Sequence, residues 1–105
     1  MSDRPKWDGR RAAALDGALV LVGITVEAPE GNTQHQFYGT VIEVDPVRGI
    51  MLRLEGSRSG ETYRLPPELD AFSQAPGGEY RLRSTGEIVK DPDYTAQWTI
   101  TPPAH

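Results

Sequence analysis

Residues 35–65 constrain the fold more than any other stretch. His35-Gln-Phe-Tyr-Gly-Thr-Val-Ile-Glu-Val-Asp45 is long enough for an extended strand, and Ile50-Met-Leu-Arg-Leu-Glu-Gly56 alternates apolar and polar residues with a period of two. Between them Asp45-Pro-Val-Arg-Gly49 carries proline and glycine where a tight turn needs them. Gly39 removes a side chain mid-strand, where a curled sheet bends or another backbone approaches. A long bent strand paired with an alternating one predicts an all-β chain, a small antiparallel β-barrel.

The flanking segments extend this pattern. Residues 1–9 read as a leader anchored by Trp7, and residues 102–105 as a tail, which leaves 10–101 as a single barrel domain. Arg10-Arg-Ala-Ala-Ala-Leu-Asp16, ended by Gly17, has the composition of a short helix. A first strand is expected over about residues 18–28, with both faces apolar at its start and one at its end. That implies burial on both sides early and on one side later. A second strand over residues 34–44 sets Tyr38, Thr40, Ile42 and Val44 on one face, and Phe37 and Val41 on the other.

Glu61–Leu65 alternates again until Pro66-Pro67 stops it. One helical turn is expected near 67–73, its Leu69 and Phe72 plugging a barrel end. A hairpin of 79–83 with 87–90 and a last strand over 95–101, with Trp98 and Ile100 inward, complete a C-terminal meander. Short strands with turn signals about every ten residues fit a barrel or small sandwich.

Composition narrows function mainly by exclusion. There is no cysteine, which removes disulfides, thiolate metal sites and a cysteine nucleophile. No stretch approaches the roughly 18–20 apolar residues of a membrane span; the longest apolar run is Ala18–Ile24. No signal-peptide pattern opens the chain, so a cytoplasmic protein without membrane contact is expected. His35 and His105 are the only histidines and have no ligand spacing, so no metal or cofactor is expected. No serine sits in a Gly-x-Ser-x-Gly elbow, and Gly77-Gly78 lacks a phosphate-loop context. A hydrolase would have to use His35 with Glu43. No enzyme is expected.

The net charge of −4 is unevenly spread. Residues 12–47 hold acids but no Lys or Arg, whereas residues 48–83 hold Arg48, Arg53, Arg58, Arg64, Arg81 and Arg83. Strand parity turns Arg53, Arg64, Arg81 and Arg83 outward. They either pair across strands with Glu55, Glu61 and Glu79 or form a site for an anion or acidic partner.

Residues 10–65 resemble the Sm-like small barrel of the broader SH3-like class. The resemblance rests on a short helix, a strand ending near Glu27, and Phe37-x-Gly39-x-Val41 running to Asp45 and Ile50-Met-Leu52. It implies a curled sheet and, from the family's habits, ring formation and RNA binding. The chain departs where the family places an Asn after the Asp turn, since Val47-Arg48-Gly49 stands there. Leu65-Pro-Pro67 replaces the family's second glycine motif, and residues 75–101 have no counterpart. The expected function is a non-enzymatic interaction module that binds a protein partner or itself through an exposed sheet edge or the arginine face. The alternative is an Sm-like single-stranded RNA binder using Arg48, Arg53, Arg58 and Arg64, which the acidic balance disfavours.

Overall fold

The computed structural model describes residues 7–101. The expected tail and the first six residues of the expected leader lie outside them. Within them the chain is mostly β. Helix α1 (Gly9–Leu15) precedes strands β1 (Leu19–Val26), β2 (Thr33–Asp45), β3 (Gly49–Leu54) and β4 (Thr62–Leu65). A 3₁₀ turn (Leu69–Ala71) leads into β5 (Phe72–Gln74), followed by β6 (Glu79–Arg81), β7 (Ile88–Lys90) and β8 (Tyr94–Ile100).

Helix α1 starts where Asp8 caps it. The Asp8 carboxylate accepts from the backbone N–H groups of Arg10 (2.9 Å) and Arg11 (3.3 Å), which the first turn leaves without partners. Ala12 and Leu15 form its buried stripe. Trp7, expected in a loose leader, is half-buried against the core.

Six strands form one sheet in the order β4-β3-β2-β1-β8-β5, while β6 and β7 pair separately. Two expectations change here. The sheet is not antiparallel throughout, because β8 lies parallel to β1, from Val20 opposite Tyr94 to Val26 opposite Ile100. The C-terminal part is not a meander either: β8 leaves the β6–β7 hairpin and inserts between β1 and β5. Among the described residues the hydrogen-bonded order is open, with β4 and β5 at its ends.

The inner face holds one apolar cluster to which α1, β1–β5, β8 and the 3₁₀ turn all contribute. Val20, Ile50 and Leu52 have no exposed surface. On β2 the expected parity breaks at a bulge between Val41 and Glu43. Val41 pairs with Leu52 and Glu43 with Met51, so Ile42 is the extra residue and is 46% exposed. Beyond the bulge Val44 turns inward opposite Ile50, and Glu43 turns outward. The last strand also differs from expectation: Trp98 is only half-buried and Ile100 is 46% exposed. Phe72 belongs to β5, one residue past the 3₁₀ turn, and stacks edge-on against Trp98 with centroids 5.7 Å apart.

The β6–β7 hairpin covers part of the outer face. Its Leu82 and Val89 are buried outside the main cluster. The Arg83 N–H donates to the Gln36 side-chain oxygen at 2.6 Å, tying the hairpin to β2. This accounts for the doubly apolar start of β1, where Leu19 and Leu21 face outward and are half-buried.

Candidate functional site

The arginine face divides once its neighbours are placed. Arg64 on β4 stands opposite Met51, which stands opposite Glu43, and its guanidinium reaches the Glu43 carboxylate at 3.0 Å. Arg48, in the β2–β3 turn, approaches the same carboxylate at 3.7 Å. The bulge makes this possible, because without it Glu43 would point inward. Arg53 lies 3.8 Å from Glu55. Arg58 pairs with Glu61 at 2.9 Å and sits 5.1 Å from the Phe37 ring centroid, a cation–π distance. Four of the six candidate arginines therefore face acids, in exposed pairs that contribute little net stability.

Arg81 and Arg83 stand elsewhere. Arg81 is on β6 and Arg83 lies just beyond it, on the hairpin rather than on the six-stranded sheet. Among the described residues neither forms an ion pair. The six arginines do not form one continuous surface.

Two further carboxylates are engaged in local hydrogen bonds. The Asp45 carboxylate accepts from the N–H groups of Arg48 (2.7 Å) and Val47 (2.8 Å), closing the turn. Those bonds, the Arg48 one first, hold its pKa below the ordinary value of 3.8. Glu87 accepts from the Ser57 hydroxyl (2.8 Å) and the Ser57 N–H (3.0 Å). The hydroxyl bond is the main cause of a pKa below 4.5. Tyr38 lies beside this pair: burial, then the charges of Glu87 and Glu55, push its pKa above 10.0. Sequence reasoning missed the Ser57–Glu87 contact, since nothing local links residues 30 apart.

His35 is exposed near the start of β2, and Glu43 is eight residues further along the same strand. At the rise of an extended chain that separation is on the order of 20 Å or more, so the hydrolase pair is not brought together. Asp91 and Asp93 also serve the backbone, accepting from the Gly78 N–H (2.7 Å) and the Leu19 N–H (2.8 Å). Among the described residues no group of three or more His, Cys, Asp or Glu side chains is placed to hold a metal ion.

Two features remain as candidates. One is the edge of β4, which pairs with no further strand among the described residues. The Leu54 N–H donates to the Glu61 carbonyl at 2.9 Å, and the register places Tyr63 opposite Leu52. By the alternation of an antiparallel ladder, the backbone groups of Thr62 and Arg64 then point away from β3. The other is a cleft of about 360 Å³ between the hairpin and the outer face of β1, β2 and β8. Its polar lining includes Gln34, Gln36, Gln97, Tyr80 and Arg81. Nothing local in the sequence marked it, because its walls come from β1, β2, β8 and the hairpin, which only the fold brings together. Compared with protein-family models, with characterised proteins and with solved structures, the chain matches none.

Proposed function

We propose that this chain is a non-enzymatic interaction module, built on an SH3-like or Sm-like curled sheet, that binds a protein partner or a second copy of itself through the β4 edge. The observation that carries this reading is the outward row of backbone groups at Thr62 and Arg64. Unpaired edge groups are a template for a further strand unless something covers them. The edge is short, and Pro66-Pro67 limits it at one end, which suits a defined contact better than open-ended stacking.

The curl is supported by a length argument. From Leu65 at the end of β4 to Phe72 at the start of β5 is seven residues, three of them in a 3₁₀ turn. Such a segment reaches about 20 Å. Five inter-strand spacings in a flat sheet come to about 24 Å. The edge strands must bend toward each other for this connection to span them, and a single cluster containing both Leu65 and Phe72 agrees.

Thr62→Pro tests the proposal. It removes an outward N–H that β3 does not use, and proline is tolerated on edge strands. Sedimentation of the wild-type chain should show concentration-dependent association, or affinity capture should recover a stoichiometric partner. Thr62→Pro should abolish that association while leaving the melting temperature within a few degrees. A wild-type chain that stays monomeric and captures nothing, or association undiminished in the variant, would refute the reading.

A further inference from the structure

Gly23 sits in the middle of β1 on its outer face, opposite Gln36 on β2 and Gln97 on β8. The backbone does not require a glycine there. Its φ is not in the left-handed region, and an added Cβ would meet only Gln97 Cγ, at 3.9 Å. Gly39 and Gly49, by contrast, are pressed against the backbone of β3 and β4. Glycine inside a strand lowers stability, so Gly23 carries that cost without a packing reason. What it leaves is space: it lines the 360 Å³ cleft beneath the β6–β7 hairpin. Small-molecule sites begin at about 300 Å³.

Among the described residues the one charged group lining that space is a cation, Arg81. No carboxylate among the described residues lines the cleft. The Gln36 side-chain oxygen is already held by the Arg83 N–H, which leaves the Gln36 amide nitrogen as a donor. The Tyr80 hydroxyl donates to the Pro76 carbonyl at 2.7 Å, fixing one wall and leaving its oxygen as an acceptor. Arg81 stands at the edge of the cleft, exposed and without an acidic partner among the described residues. In a chain of net charge −4, a cleft lined by an arginine that forms no ion pair among the described residues is a local reversal of potential.

We infer that this cleft binds a small organic oxyanion, a phosphate or carboxylate carried on a hydrogen-bonding body. The Arg81 guanidinium takes the oxyanion. Gln36 and Gln97 grip the body, which fills the room that Gly23 leaves. The site is separate from the β4 edge, so it stands or falls independently of the interaction reading.

The test is a titration of the ¹⁵N-labelled chain with glucose 6-phosphate and, separately, with N-acetylglutamate, followed by NMR to about 10 mM, well above a weak millimolar dissociation constant. Saturable shifts at the Gly23, Gln36 and Gln97 amides are expected with one probe, and which one responds identifies the phosphate or carboxylate source. Arg81→Gln should weaken binding about tenfold or more, the loss of a charge-assisted hydrogen bond. Gly23→Val should block binding while the remaining spectrum keeps its dispersion. Arg48→Gln and Thr62→Pro should leave the shifts unchanged. No saturable shift with either probe, or binding undiminished in both Arg81→Gln and Gly23→Val, would overturn the inference.

Discussion

At Gly39 a hydrogen stands where any other residue would place a carbon 2.5 Å from the Arg53 carbonyl oxygen and 3.0 Å from Leu54 Cα. The obstacle is backbone of the paired strand, which cannot move aside as a flexible side chain would. Gly39→Ala should therefore lower unfolding free energy by about 3 kcal/mol, at the upper end of overpacking costs, read as a fall in the urea midpoint. The need for a small residue at Gly39 was legible in the sequence, because it interrupts an otherwise strong strand. The role of Ile42 was not. Nothing in Val41-Ile42-Glu43-Val44 marks which residue is extra, and the answer depends on β3. That single residue decides whether Glu43 meets Arg64 or the core.

Elements show the same division between local and remote information. Strands β1 to β4 announce themselves through alternation and turn residues, and they appear within two residues of their expected limits. Phe72–Gln74 is three residues long, too short for any periodicity, and is a strand only because β8 lies beside it. The β6–β7 hairpin was legible as a hairpin, but its seat on the outer face was not, because the contacts that fix it come from Gln36 and Ser57. Glu87 is the main fastener to the 56–58 segment. Its pKa is lowered in the folded chain, so its contribution is complete above the unfolded value near 4.5 and is lost as pH falls through the lower folded value. Glu87→Gln should speed exchange of the Leu82 N–H, which closes the hairpin onto the Glu87 carbonyl at 2.8 Å, by roughly threefold at neutral pH. The difference from wild type should shrink once Glu87 is protonated. Equal exchange rates at neutral pH would show that the hairpin is held without it.

Across the whole molecule, topology sorts the six arginines into two groups. Parity along single strands turned Arg53, Arg64, Arg81 and Arg83 outward, but parity carries no information about which strands are neighbours. The topology assigns the first two to β3 and β4 and the last two to a separate hairpin, and it brings an acid to each of Arg48, Arg53, Arg58 and Arg64. A surface so neutralised releases few counterions from a polyanion. A fluorescent single-stranded RNA should therefore show no anisotropy change at low salt. A salt-sensitive rise that Arg58→Gln reduces would restore the RNA reading.

The insertion of β8 between β1 and β5 also sets an order of events in the cell. Tyr94 emerges from the ribosome about 75 residues after Leu19, a delay on the order of ten seconds at ordinary rates of synthesis. Throughout that interval one side of β1 has no neighbour, and β5, once made, has no strand to join until β8 follows it. The sheet is completed from its middle rather than its rim, so the nascent chain is most vulnerable to mispairing just before the strand that closes the gap arrives.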